Sequence, residues 1–246
     1  GRIQYNYSRL VYLTASMRRD GSSVFGEDSK YEIFPAVSGA VRLSSFQFMQ
    51  PLKTVVSDLK FRTSWGRNGV DGGIGVSPQF GTINSSYHYT LNGEVVTGDG
   101  IGVIPNTGLH WEVNEQFDFG IDLGLLNNRI LFTLDFFNRN TKDVIIPKEI
   151  PMYAGYLSSH NIWETKSTIV NAAEINNKGF EFELSFKKYE GKLNYNIGIN
   201  FSHYTNEITN LPSDLVNQNN IYTLYRQGEP VNSFYGYYSD GIILDE

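Results

Sequence analysis

Apolar and polar residues alternate along much of the chain, and the alternation is most regular between Lys178 and Phe201. In this stretch phenylalanine, leucine and isoleucine recur at every second position, with mainly glutamate, asparagine and serine between them. Because successive side chains of a strand point to opposite faces, the pattern predicts two strands that each have one apolar and one polar face. The interruption around 189–191 predicts a short turn between them.

Similar runs of alternating residues occur at 11–18, 37–43, 59–65, 117–125 and 130–136. With a short strand ending near Tyr5 and one or two strands after Ile221, they predict about ten strands. The adjacent Asn127 and Asn128 predict a two-residue hairpin turn, because asparagine tolerates a positive φ angle. The sequence therefore predicts an all-β chain of antiparallel strands.

The predicted connections alternate in length along the chain. Those around 6–8, 127–128 and 189–191 are short and that at 45–57 is of medium length, whereas those at 20–32, 67–114 and 140–176 are long. In an up-and-down sheet this alternation places every long loop at one end. A Greek-key sandwich gives no reason for such sorting, while transmembrane barrels have short periplasmic turns and long outer loops. The connections therefore favour an antiparallel transmembrane β-barrel.

The charged residues of the predicted strands fall on one face only. The apolar rows hold no charge, and the sequence offers no amphipathic helix that could cover them as a second layer. We therefore expect these rows to face acyl chains, where an arginine or lysine at mid-bilayer would cost roughly 2 to 4 kcal/mol. The polar rows would face a water-filled lumen. The predicted lumen-lining residues are Arg42, Lys60, Arg62, Asp118, Asp122, Asp135, Glu181, Glu183 and Asn196.

Composition narrows the classes of function. The net charge of -6 and the lack of any basic run argue against a nucleic-acid surface. The chain contains no cysteine, which excludes a disulfide framework. No run of about 18 apolar residues occurs, which excludes a transmembrane helix but not a barrel of alternating strands.

The sequence carries little that indicates catalysis. Asp118 with Asp122, and Glu181 with Glu183, lie on one strand face and could form a glycosidase pair, but nothing nearby distinguishes an acid from a base. Solvated lumen charges are the simpler interpretation. The four histidines show no metal-ligand spacing. We predict no catalytic residue, no metal site, no cofactor and no enzyme.

Five segments resemble, in the same order, the SusC/RagA family of TonB-dependent outer-membrane transporters. They are 12–44, "SDLKFRTSWGRNG" at 57–69, 105–146, "NNKGFEFELSF" at 176–186 and "PVNSFYGYYSDGI" at 230–242. The resemblance implies a 22-strand barrel with an N-terminal plug, surrounded by the lipid and lipopolysaccharide of a Bacteroidetes-type outer membrane. Residues 1–246 would belong to the C-terminal β-barrel domain, with the plug and the final strands outside this sequence.

The same resemblance implies an activity and partners. Members of the family import glycans or oligopeptides together with a SusD-like surface lipoprotein, and the TonB–ExbB–ExbD complex supplies the energy. Two alternatives stay open from the residues themselves. One is a passive outer-membrane channel or adhesin built on the same barrel, and the other is a soluble β-rich carbohydrate-binding module.

Aromatic residues in the long loops are candidates for ligand binding. Their rings lie beside serine and asparagine, so they could stack on sugars or peptide side chains while the neighbours donate hydrogen bonds. The alternative is that they pack the loops onto each other or onto the lipoprotein. The predicted substrate-binding residues are Tyr87, Tyr89, Trp111, Tyr153, Tyr156 and Trp163.

Overall fold

A computed structural model of the chain describes residues 1–72, 80–150, 167–189, 191–212, 215–216, 223–237 and 239. These residues form thirteen strands, three more than the approximate number that the sequence predicts. The strands are β1 (Arg2–Tyr7), β2 (Val11–Gly21), β3 (Tyr31–Arg42), β4 (Val56–Val70), β5 (Thr82–Leu91), β6 (Glu94–Val103), β7 (Glu112–Leu125), β8 (Ile130–Glu149), β9 (Ser167–Lys188), β10 (Tyr195–Asn210), β11 (Leu215–Val216), β12 (Thr223–Tyr225) and β13 (Ser233–Phe234).

The main sheet is an antiparallel meander of eight strands. Its order is β1-β2-β3-β4-β7-β8-β9-β10, so every strand pairs with its neighbours in the chain except where the β5–β6 hairpin intervenes. That hairpin forms a separate two-stranded sheet inside the long connection between β4 and β7, and β11–β13 form a small third sheet. The prediction of an all-β antiparallel fold is confirmed.

The long connections all leave the same end of the main sheet, as the sequence predicts. At the opposite end lie the turns 8–10 and 126–129, the point where β9 is followed by β10, and the connection 43–55, which contains two short 3-10 helices, Leu43–Ser45 and Gln47–Leu52. The turn after β7 differs from its prediction because it has four residues rather than two. Leu126 adopts a positive φ angle together with Asn127 and Asn128.

Two strands are longer than the alternation of apolar residues indicates. β8 has 20 residues and β9 has 22, and they continue into the connection predicted at 140–176. Beyond the apolar rows the backbones stay paired, and Asn176 on β9 donates side-chain hydrogen bonds to Asn138 and Asn140 on β8. Amide side chains bonded across the pair thus replace apolar ones, and hydropathy does not detect such an extension.

The pairing register sorts the residues of the main sheet into two faces. Ile121, Leu134, Phe182 and Phe201 are paired in one row across β7–β10, and the apolar rows on either side follow the same face. Side chains of this face remain partly or largely accessible even on interior strands, where Phe117 is 50% exposed and Phe136 is 46% exposed. In the part of the chain that the structure describes, no second layer covers this face, and none of its helices is long and apolar enough to span a membrane.

Buried apolar residues gather instead near the long-loop end of the sheet. Phe25, Phe34, Leu109 and Trp111 form one cluster, which Val24, Ile145 and Ile169 extend. A second cluster contains Ala173, Ile208 and Leu211. These clusters anchor the loops, so the compact packing of the chain lies at one end while the strands present two open faces.

Candidate functional site

The polar face of the sheet is organised around Arg62, near the middle of β4. Its Nε donates to both carboxylate oxygens of Asp122 on β7, at 3.1 and 3.2 Å. Its Nη2 donates to Oδ2 of Asp135 on β8 at 2.7 Å. One guanidinium therefore joins three consecutive strands, which matches the planar fork of donors that arginine offers to carboxylates.

Gly120 makes this bridge possible. The register places Gly120 of β7 directly between Arg62 and Asp135. A Cβ atom at this position would overlap Oδ1 of Asp135 and the Cζ atom of Arg62. Because Gly120 has no side chain, it leaves the space through which Arg62 reaches the carboxylate of Asp135. The sequence alone does not single out Gly120, because only the strand register reveals which residues lie on either side of it.

Further charge pairs line the same face. Lys60 Nζ lies 3.6 Å from Oδ2 of Asp122, and Arg42 Nε lies 3.2 Å from Oδ1 of Asp58. On β7, Asp118 accepts hydrogen bonds from Ser64 at 3.0 Å and from Gln116 at 2.6 Å. The acids that could have formed a catalytic pair are thus held by donors, which favours a structural role for them.

Glu181 and Glu183 differ from these paired acids. In the described residues neither carboxylate has a hydrogen bond or an ion pair, and both side chains are exposed. They line a shallow depression of ≈ 370 Å³ together with Thr133, Asp135 and Ser202, among others. Nearer the short turns, Asn196 accepts a hydrogen bond from Ser185 at 3.0 Å. The wall at β8–β10 therefore offers unpaired acids and amides to the space in front of it.

At its long-loop end the apolar face carries polar and charged side chains. Trp65 lies there, and its Nε1 donates to Oε1 of Glu115 at 3.1 Å, while Lys142 donates to Oε2 of the same glutamate at 3.0 Å. At the short-turn end, the rings of Phe46 and Phe48 stack with centroids 5.8 Å apart. An uncharged band bordered by aromatic rings at both ends is the profile of a surface that faces lipid.

Tyr87 and Tyr89 belong to a strand, β5, where the sequence analysis places a loop. Their rings lie over the glycines of the partner strand: a Cβ atom at Gly100 would meet the ring of Tyr87 at 2.5 Å, and one at Gly98 would meet the ring of Tyr89 at 3.0 Å. Because glycine has no side chain, each ring can lie directly against the backbone of the partner strand. Tyr89 remains 53% exposed, so it presents an aromatic surface to solvent.

Trp111 is buried in the first loop cluster, with its ring centroid 5.1 Å from that of Phe25 and 5.7 Å from that of Phe34. This is the loop-packing arrangement that the sequence analysis leaves open as the alternative to ligand contact. The other three candidate aromatics, Tyr153, Tyr156 and Trp163, lie outside the described residues.

Side chains of the kind that bind metal ions do not gather in the described residues. The part of the chain with described coordinates contains no group of three or more histidine, aspartate or glutamate side chains that could hold a metal ion. The site is instead an extended wall with a charged and amide-bearing face opposite an apolar one. Such a wall can separate lipid from a hydrated passage.

Comparison with known proteins gives a consistent result. A family model described as "TonB dependent receptor-like, beta-barrel" matches residues 1–240. "TonB-dependent receptor P3" of Formosa agariphila is 30% identical over an alignment of 256 residues, gaps included, which covers 98% of this chain and 24% of that protein. "TonB-dependent receptor SusC" of Bacteroides thetaiotaomicron is 27% identical over 254 residues, covering 96% of this chain and 24% of that protein.

Solved structures agree with the sequence comparison. The structure of the RagAB peptide importer in the "closed-closed" state superposes with a TM-score of 0.77 at 28% identity, covering 95% of this chain and 24% of that chain. The chain thus spans about a quarter of the length of the relatives it matches. Proteins of this kind are receptors and transporters rather than enzymes, in agreement with the sequence prediction.

The described strands match the wall of a barrel in the bacterial outer membrane. One face is an exposed apolar band, the opposite face is charged, and the long loops leave the sheet at one end. The soluble carbohydrate-binding module is thereby removed from the alternatives. The chain belongs to the TonB-dependent receptor β-barrel family.

Proposed function

We propose that this chain forms part of the wall of a SusC-type active importer that takes up glycans or oligopeptides through the outer membrane. A SusD-like surface lipoprotein would present the ligand, and the TonB–ExbB–ExbD complex would supply energy. Residues 1–246 would be a portion of the C-terminal β-barrel domain, with the plug and the final strands elsewhere in the whole protein. The observation that carries the proposal is the charged and amide-bearing wall opposite an uncharged, exposed apolar band.

The chemistry of this wall suits polar solutes. Arg62 and Lys60 together neutralise Asp122 and Asp135 across three strands. Glu181 and Glu183 leave acceptors exposed beside them. A hydrated surface with charges of both signs exchanges hydrogen bonds with sugars and peptides at small cost, whereas an apolar solute would gain nothing from it. The similarity to SusC and to the RagAB peptide importer supports the same substrate classes.

Uptake by the whole protein in its own cell tests the proposal. Fluorescent oligopeptides and glycans would be offered to cells that contain the whole protein, to cells that lack it, and to cells that lack TonB. We expect one substrate class to enter only when both proteins are present. Uptake that persists without TonB would indicate a passive channel instead, and binding without uptake would indicate an adhesin.

Tyr87 and Tyr89 are the described aromatics best placed to stack on a ligand, because their rings lie flat on Gly100 and Gly98. The double change Tyr87→Leu with Tyr89→Leu keeps apolar cover over the glycines while it removes both rings. At about 0.5 to 1.5 kcal/mol for each aromatic contact, we expect ligand affinity to fall about tenfold. Phe80→Leu is the control, because Phe80 is 64% exposed in the same connection. Equal losses in both proteins would contradict a specific role for the tyrosines.

A further inference from the structure

Two cations surround one aromatic ring where β2 and β3 reach the long loops. The Cζ atom of Arg19 lies 4.4 Å from the centroid of the Tyr31 ring, and Nζ of Lys30 lies 5.7 Å from it. We call these three residues the β2–β3 rim. Tyr31 is paired with Gly21, and a Cβ atom at Gly21 would meet its ring at 2.6 Å. The glycine thus fixes the ring that both cations contact.

The two cations of the β2–β3 rim have no ion-pair partner among the described residues. In the described residues neither Arg19 nor Lys30 forms an ion pair with a carboxylate. The adjacent Arg18, on the opposite face, is paired with Asp20 at 2.7 Å, and on the apolar face Lys142 is paired with Glu115. Unlike these two neighbouring cations, Arg19 and Lys30 therefore have no carboxylate within 4.0 Å in the described residues, and both remain available to an anion.

The β2–β3 rim also lies at the border of the apolar band. Arg19 follows Met17 on the same face of β2, and Tyr31 precedes Ile33 on the same face of β3. Met17 is 59% exposed and Ile33 is 48% exposed, as expected for side chains in contact with acyl chains. One step further toward the long loops, the lipid surface presents headgroups rather than hydrocarbon. Arginine, lysine and tyrosine are the side chains that suit this level, because each joins an apolar stem or ring to a polar end.

We propose that the β2–β3 rim binds the phosphate of a lipopolysaccharide molecule in the outer leaflet. The guanidinium of Arg19 and the ammonium of Lys30 would share the phosphate oxygens, and the acyl chains would lie along Met17 and Ile33. Charge complementarity and continuity with the apolar band both favour this occupant. The inference rests on the outer-membrane location of the family and is independent of which substrate is imported.

Binding of lipopolysaccharide to the purified whole protein in detergent tests the proposal. Fluorescent lipopolysaccharide from the host would be titrated against the native protein and against Arg19→Gln with Lys30→Gln. Each cation near a lipid surface contributes about a fivefold factor in affinity, so we expect the double variant to bind on the order of 30-fold more weakly. The control is Arg9→Gln with Lys53→Gln, which removes two cations at the short-turn end. We expect its affinity to stay within about twofold of the native value.

A second arm identifies the group that is recognised. Enzymatic removal of phosphate from the lipid should weaken binding to the native protein by a similar factor and leave the double variant almost unchanged. Equal affinity of the native protein and the double variant for the phosphorylated lipid would overturn the proposal, as would an equal loss in the control. Full displacement of the lipid by millimolar inorganic phosphate would also overturn it, since the site would then be one for free anions. Heat-dependent gel migration checks that each variant is folded.

Discussion

Arg62 on β4 and Asp135 on β8 are joined by a 2.7 Å hydrogen bond although a whole strand separates them. The bond passes over Gly120 of β7, and Asp122 of that strand binds the other side of the same guanidinium. The pairing therefore ties three strands on the lumen face. Both partners are only partly exposed, which makes the arrangement stiffer than an ordinary surface ion pair.

Gly120→Ala should break this connection. The added methyl group would occupy the space between Arg62 and Asp135, so the arginine would have to retreat from the second carboxylate. We expect the free energy of unfolding to fall by about 1 kcal/mol, the upper range for a single partly exposed ion pair. Thermal unfolding of the purified whole protein, followed by heat-dependent gel migration, measures the change.

Gly198→Ala is the matched control, because Gly198 lies on the polar face of β10 and a Cβ atom there meets nothing within 4 Å. We expect it to be neutral or slightly stabilising, since alanine restricts the unfolded chain more than glycine does. A coupling test adds Asp135→Asn: in that background Gly120→Ala should cost less, because the bond is already weakened. Additive effects would show that Gly120 acts through something other than the Arg62–Asp135 pair.

Much of this architecture follows from the period of two in the sequence. The alternation alone separates Ile121 from Asp122 and Phe182 from Glu183, and the loop lengths indicate which end is which. The side-chain pairs between neighbouring strands do not follow from this period. Lys60 and Arg62 are placed on the correct face by the pattern, but only the register shows that both lie near Asp122.

The parts that the sequence misjudges or leaves open share a physical cause. Tyr87 and Tyr89 lie in a hairpin whose partner strand contains Gly98 and Gly100, and two glycines at alternate positions weaken the strand pattern until the rings that cover them are known. Trp111 carries the same local signal as an exposed binding residue, yet long-range contacts with Phe25 and Phe34 bury it. Tertiary packing decides these cases, and a single sequence does not reveal it.

Leu134→Arg should prevent assembly in the membrane. Leu134 pairs with Ile121 and Phe182 in the middle of the apolar band, so a charge there would meet hydrocarbon on its open side. The expected cost is roughly 2 to 4 kcal/mol. The measurement is the fraction of the whole protein that is folded in outer-membrane preparations.

Thr133→Arg is the control for this variant, because Thr133 is the preceding residue of β8 and lines the depression on the opposite face. A long cationic side chain at that position has water and the acids Glu181 and Glu183 beside it. We expect assembly close to that of the native protein. If both variants assembled equally well, the assignment of the apolar face to lipid would fail.

Leu126→Gly should stabilise the turn between β7 and β8. Leu126 has a φ angle of 51°, a conformation that costs a non-glycine residue about 1 kcal/mol. Its side chain is 47% exposed, so little packing is lost on its removal. Leu126→Val should have the opposite effect, because a β-branched residue tolerates this conformation poorly. Unfolding free energies in the order glycine above leucine above valine would fit, and any other order would count against strain at this position.

Trp111→Ala should loosen the long connection between β4 and β7. The ring of Trp111 packs against Phe25 and Phe34, and truncation of a buried tryptophan costs about 3 to 5 kcal/mol. Because the cluster holds the loops rather than the strands, most of this cost should appear as local opening. Segment 71–111 contains no lysine or arginine, so chymotrypsin is the suitable probe. We expect its cleavage there to accelerate on the order of 100-fold.

Two further variants test whether ring packing at this cluster controls the cleavage. Nε1 of Trp111 is buried and donates no hydrogen bond within the described part of the chain, so Trp111→Phe loses ring area but leaves no new polar group unpaired. Its cleavage should rise far less than that of Trp111→Ala. Val95→Ala should leave cleavage unchanged, because Val95 lies outside the cluster, is largely exposed and is not a residue after which chymotrypsin cuts. Rapid cleavage of Trp111→Phe, at the rate of the alanine variant, would mean that the indole N–H has a partner that the ring packing does not explain.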